Sequence, residues 1–188
     1  MNSIFENIKI IGIGGSAGSF NTIINLVNEI NPKFDIPIVI VTHRGILYQS
    51  HFEELLNEQS NIDVKEILIN TKIEKNYIYI APANYHLIFE NSYMFALESS
   101  ERVNFSRPSI DVFFESLAYT FKESCLGILL SGSNADGALG LLEIHKNKGL
   151  TIIEDPKSAE YSFMPESALN LFNPTAILIK EKIINLFK

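Results

Sequence analysis

Short apolar runs rich in β-branched residues recur along the chain, and they restrict its fold more than any other feature. In "IKIIGIG" the isoleucines fall at positions of both parities, so a strand made from it buries both faces. "IPIVIVTH", "YIYIAP", "CLGILLSG" and "LTIIED" read the same way. Between the runs the period changes to that of a helix. Ile23, Ile24, Leu26, Val27 and Ile30 form one stripe over residues 20–30, "SHFEELLNEQ" a second helix, and residues 110–121 and 138–148 two more. Parallel strands joined by helices predict an α/β fold, a doubly wound, mostly parallel sheet with helices on both faces. "HLIFENSYMFALES" departs from this pattern. Two strand-like runs flank Glu90-Asn91-Ser92, which predicts an antiparallel hairpin insertion. No repeat, linker or shift in composition divides the chain, so residues 1–188 are expected to form a single domain. Ligands of such open sheets sit beyond the carboxyl ends of the strands, where functional residues are to be sought.

Composition narrows the classes. Hydrophobic residues at 46% and charged residues at 20% fit an ordered globular domain. No apolar run approaches the roughly 18 residues of a membrane span, so no membrane insertion is expected. "MNSIFENIKI" lacks the basic-then-apolar order of a signal peptide. The single cysteine, Cys125, allows no intrachain disulfide and points to a reducing, cytoplasmic compartment. Standing at the start of an apolar run, it reads as a small core residue. The net charge of −7, with 15 scattered Lys and Arg, predicts no nucleic-acid partner. No His, Cys and Asp cluster has ligand spacing, so no metal is expected.

The glycine loop after the first run can be read two ways. As Gly12-x-Gly14-x-x-Ala17 it fits a dinucleotide fingerprint, with a pyrophosphate at the start of the following helix. That pattern wants an acidic residue ending the second strand, and "VTHRG" has none; Arg44 leaves an NADP 2′-phosphate open. As Gly14-x-Ser16-x-Gly18 the loop fits a nucleophile elbow, a strained turn that lifts a serine hydroxyl above the sheet. The bland alternative is a glycine-rich turn in which Ser16 caps the next helix.

A nucleophilic serine needs a base. His145 lies in the charged "EIHKNK" and reads as a surface residue; His51 begins a helix without a partner; His86, beside the hairpin, suits a structural hydrogen bond. His43 closes the strand expected beside that of Ser16, so both side chains emerge at one sheet edge. "GILLSGSNADGALGLLEI" ends a third strand and supplies Asp136, which could equally cap the helix that follows. Three strand ends thus deliver Ser, His and Asp, in an order different from that of ordinary α/β-hydrolases.

Taken together, "IGIGGSAGS", "IVIVTHRG", "IYIAPANYH", "RVNFSRPSIDVFFESLA", "GILLSGSNADGALGL" and "FMPESAL" resemble, in order, the catalytic domain of bacterial chemotaxis protein-glutamate methylesterases, the CheB family. The resemblance implies a serine esterase with no cofactor. It would remove methyl groups from glutamates on chemoreceptor signalling helices, releasing methanol, with glutamine deamidation as a further activity. It implies Ser16 as nucleophile, His43 as base and Asp136 as orienting acid. Where the family has Ser-Thr-Gly-Gly this chain has Ser16-Ala17-Gly18-Ser19. Its Gln-His-Met-Pro appears as Thr42-His43-Arg44-Gly45, and its Gly-Met-Gly as Gly132-Ser133-Asn134. The Ala17 and Ser133 amides are the resulting oxyanion candidates. Arg107 of "SRPSID" could pair with acidic neighbours of the substrate glutamate, or be a surface residue before Pro108 in the first helical turn, with Asp111 stabilising that helix N-terminus. The family's typical member carries an N-terminal receiver domain. With Met1 just before the first strand, activity without a phosphate donor is expected. A non-catalytic relative binding receptor or signalling partners, and an NADP enzyme, are the other readings the sequence leaves.

Overall fold

The first apolar run becomes β1 (Ile10–Gly15), buried along its length at the middle of a seven-stranded sheet. The computed structural model describes residues 3–43 and 52–188; the expectations for Arg44 and His51 lie outside the described residues. β1 pairs in parallel with β2 (Ile38–Thr42) on one side and β7 (Cys125–Leu129) on the other. Beyond β2 come β4 (Tyr77–Ile80) and β3 (Asp63–Glu66); beyond β7 come β8 (Leu150–Glu154) and β9 (Ala176–Leu178). These pairings are also parallel. The chain winds outward from β1 through β2 and later returns to its other side with β7. The crevice at this reversal is where ligands reach open α/β sheets.

Because both strand faces are apolar, each gathers its own core. Ile11, Ile13, Ile38 and Ile40 pack with α1 (Phe20–Glu29), α2 (Phe52–Gln59) and α6 (Lys180–Asn185). Ile10, Val39, Val41 and Leu129 face α3 (Ile110–Phe121), α4 (Ala138–Lys146) and α5 (Phe163–Leu169). The antiparallel hairpin β5 (His86–Asn91) and β6 (Met94–Glu98) packs on α3 through Phe89, whose ring lies 5.1 Å from that of Phe121. Cys125 is buried as expected, and burial pushes its thiol up to about 12. Among the described residues no helix is long and apolar enough to cross a membrane.

The glycines of β1 serve packing. A Cβ on Gly12 would come within 2.7 Å of Leu117 Cδ2 and 2.9 Å of Phe113 Cε1, and one on Gly14 would meet Ile110 and Phe114. They let α3 lie directly against the sheet. Gly12 and Gly14 lie inside β1 rather than in the loop after it, and close packing of α3 accounts for their missing side chains.

Some elements differ from expectation. The hairpin turns at Ser92-Tyr93, with Glu90 and Asn91 inside β5 and a register shift between Phe89 and Asn91. Pro108 lies before the helix: Ser109 is the N-cap of α3, and the Arg107–Pro108 peptide is cis. Strands β3 and β9, and helices α5 and α6, were not expected from periodicity.

Candidate active site

Strand register builds the site before any side chain is considered. Gly15 pairs with Thr42, so the next residues, Ser16 and His43, emerge side by side at the carboxyl ends of β1 and β2. The amide of Leu130 donates to Gly14 O at 2.8 Å and that of Ser16 to Ser131 O at 2.9 Å, continuing the β1–β7 ladder beyond the end of β7. Ser131 is itself held. Its amide donates to the buried Glu154 carboxylate at 2.8 Å, and its hydroxyl to Ala17 O at 2.9 Å. Burial raises the Glu154 carboxyl, offset in part by that Ser131 hydrogen bond.

The turn after Ser16 takes its left-handed backbone at a small neighbour, two residues beyond the serine. The positive φ, 79°, is at Gly18, where a Cβ would lie 2.6 Å from Ser131 Oγ. Only glycine satisfies both conditions. Ser16 does not cap α1; Ser19 holds the N-cap position, and its hydroxyl donates back to Ser16 O at 2.7 Å. The Ser16 hydroxyl is left to meet His43, with Oγ 3.0 Å from Nδ1.

His43 Nε2 lies 2.6 Å from Asp136 Oδ2. Asp136 is fully buried, while the His43 side chain is 15% exposed. Burial alone would raise the Asp136 carboxyl. Hydrogen bonds from His43, the Ile110 amide, the Ser109 hydroxyl and the Asp111 amide outweigh it and hold the group below the usual carboxylate range. An ionised carboxylate only accepts, so Nε2 carries the imidazole proton and Nδ1 keeps the lone pair that receives the Ser16 hydroxyl.

Asp136 does not cap its own helix. Gly137 stands at the N-cap of α4, with φ 93°, and the Asp136 carboxylate turns to the start of α3. Oδ2 accepts the Ile110 amide at 2.8 Å; Oδ1 accepts the Ser109 hydroxyl at 2.7 Å and the Asp111 amide at 3.1 Å. The carboxylate is therefore both the partner of His43 and the anion at a helix N-terminus. Spacing along one chain segment could not reveal that the loop after β7 meets the start of α3.

Around this carboxylate stand residues that the sequence did not single out for the site. His86 is buried, with Nε2 donating to Glu101 O at 2.8 Å and Nδ1 accepting the Ser109 amide at 3.2 Å. It has the structural hydrogen bond expected of it, and through Ser109 it also fixes a donor to Asp136. Asp111 accepts the Gly140 amide at 2.8 Å, and Asn104 Nδ2 lies 2.9 Å from Asp111 Oδ2 and 3.3 Å from Asp136 Oδ1. Burial, with the nearby Asp136 charge adding to it, pushes the Asp111 carboxyl up to about 6.

Among the oxyanion candidates, the Ala17 and Ser133 amides make no hydrogen bond among the described residues, and both residues are exposed. Arg107 is engaged elsewhere. Nη1 donates to Ser99 O and Ser100 O, and Nη2 to Asn84 Oδ1, so the guanidinium braces the loops after β6 and β4. Its Nε is buried without a hydrogen-bond partner among the described residues. His145 is exposed and stacks on Phe172 at 4.9 Å. Among the described residues no group of three His, Cys, Asp or Glu is placed to hold a metal ion. A cavity of about 720 Å³, lined by Lys9, Pro37 and Ser124 among others, opens at the amino ends of β1, β2 and β7, opposite this chemistry.

Comparison with known proteins agrees with the architecture. The family profile described as CheB methylesterase matches residues 11–186. A Leptospira interrogans protein described as a protein-glutamate methylesterase/protein-glutamine glutaminase is 40% identical over 181 residues, covering 96% of this chain and 94% of that protein. A Hahella chejuensis protein-glutamate methylesterase/protein-glutamine glutaminase is 34% identical over 93% of this chain, which spans 49% of it. The crystal structure of the Thermotoga maritima CheB methylesterase catalytic domain superposes with a TM-score of 0.88 at 27% identity, covering 95% of this chain and 98% of that one. The chain belongs to the CheB methylesterase family.

Proposed function

We propose that the chain is a protein-glutamate methylesterase that hydrolyses glutamate methyl esters on chemoreceptor signalling helices, with Ser16, His43 and Asp136 as its catalytic triad. The relatives' names supply the reaction. The observation that carries it here is the unbroken path from Ser16 Oγ through His43 to the buried Asp136, at 3.0 Å and 2.6 Å.

His43 Nδ1 takes the hydroxyl proton as Ser16 Oγ attacks the ester carbonyl. Asp136 faces the imidazolium that forms and keeps the ring turned. The unpaired Ala17 and Ser133 amides are the donors we assign to the oxyanion. Collapse breaks the bond to the methoxy oxygen, Nδ1–H protonates it, and methanol leaves an acyl-enzyme. Water, deprotonated by Nδ1, then releases the glutamate carboxylate and restores Ser16. A glutamine side chain offers an amide carbonyl to the same attack, with ammonia leaving, which supports deamidation as a second activity. A cytoplasmic location follows from such a substrate. The test is methanol release from methylated receptor fragments: the wild type should release methanol until the esters are consumed, and no release above the uncatalysed rate would refute the reading.

A further inference from the structure

We propose that Phe105 is a substrate-contacting residue that selects esters borne on a polypeptide over small free esters, an inference that rests on the esterase reading above. Val103 and Ser106 exchange both backbone hydrogen bonds, at 3.2 Å and 2.9 Å, which leaves Asn104 and Phe105 as a two-residue turn. Both have positive φ, 50° and 62°. Such turns suit Asn and Gly, and Asn104 fits. Phenylalanine in this region is a costly outlier. Burial gives nothing back, because Phe105 is 94% exposed. Neither backbone preference nor packing accounts for an aromatic residue there.

Its position does. Asn104 Nδ2 reaches Asp136 Oδ1, and the other oxygen of that carboxylate meets His43. The turn is thereby pinned beside Asp136, and its second residue, Phe105, is left open to solvent next to that anchor. On the Ser16 side, Tyr161 packs against Gly18 and is 46% exposed. A polypeptide segment laid across the serine would meet an aromatic side chain on each flank. Esterification removes the glutamate charge, so an apolar rim accepts the ester more readily than the product carboxylate. The net charge of −7 disfavours that product further. A small ester fills only the space at Ser16 and gains nothing from the rim.

The test compares Phe105→Ala, Phe105→Leu and Phe105→Asn on two substrates, a methylated receptor fragment and p-nitrophenyl acetate. Ala and Asn should raise KM for the fragment about tenfold, with kcat lowered less than about twofold. The ratio of fragment to small-ester kcat/KM should fall by about the same factor, and Leu should restore most of it. Phe105→Asn should match or exceed the wild-type Tm, since Asn tolerates this backbone, so lost activity could not be lost folding. Parallel loss on both substrates, or a fragment KM moved less than about twofold, would overturn the proposal. A wild type that releases no methanol from the fragment overturns the esterase reading, and this proposal with it.

Discussion

Replacing Asp136 by Asn exchanges one buried carboxylate oxygen for an NH2 group that cannot accept a hydrogen bond. Oδ1 faces the Ser109 hydroxyl, the Asp111 amide and Asn104 Nδ2; Oδ2 faces His43 Nε2 and the Ile110 amide. The amide oxygen therefore takes the Oδ1 position, where more donors converge. The NH2 group points at His43 and Ile110. His43 adapts by moving its proton to Nδ1, which leaves Nε2 to accept, but Nδ1 then has no lone pair for the Ser16 hydroxyl. The Ile110 amide has no such recourse and is left buried and unpaired, at about 2 kcal/mol. For a domain of this size, that lowers Tm by about 4–8 °C. Turnover should fall about 10³- to 10⁴-fold, since the base holds its proton on the wrong nitrogen and the imidazolium loses its counter-charge. Methanol release and thermal melts on the same preparation measure both effects. Turnover within about twofold of wild type would remove Asp136 from the triad, and an unchanged Tm would mean that its hydrogen bonds to α3 carry no weight.

Ser16→Ala removes only the bond to His43, so Tm should stay within about 2 °C while ester hydrolysis drops at least about 10³-fold; turnover near wild type would exclude Ser16 as nucleophile. The Asp111 carboxyl is raised from its ordinary 3.8 to about 6, so its contribution to stability is full below 3.8 and lost as pH rises through about 6. The Tm difference between wild type and Asp111→Asn should accordingly shift in the variant's favour from pH 4 to pH 7, and a difference independent of pH would contradict this. Gly12→Ala should destabilise by about 1–3 kcal/mol in urea unfolding, because its methyl group would collide with Leu117 and Phe113; a neutral result would mean that α3 is not tightly packed on β1.

The central strands were legible because burial on both faces leaves near-continuous apolar runs, and the helix Ile110–Phe121 begins and ends where its pattern does. The sheet edges were not. β3 is half-exposed and reads "DVKE", and β9 has only three residues, so neither leaves a periodic trace. Ser16 and His43 could be brought together from sequence because each directly follows a buried strand, and neighbouring parallel strands end in register. The role of Asp136 as the anion at α3 could not, since it depends on two segments some 25 residues apart meeting in space. Asn104 and Ser109 escaped notice for the same reason, and the hydrogen bond expected of His86 gave no sign that its partner would be the residue that holds Asp136. The glycines misled in one respect: a dinucleotide loop and a strand against which a helix packs closely both demand missing side chains.

The most direct test of the account is to map a fluorophosphonate adduct by mass spectrometry, in the wild type and in His43→Ala. Wild type should take up one adduct, on the peptide containing Ser16, and His43→Ala should label at least about 10²-fold more slowly because the hydroxyl has no base. An adduct on another residue, or equal rates in the two proteins, would contradict the claim that His43 activates Ser16 for attack.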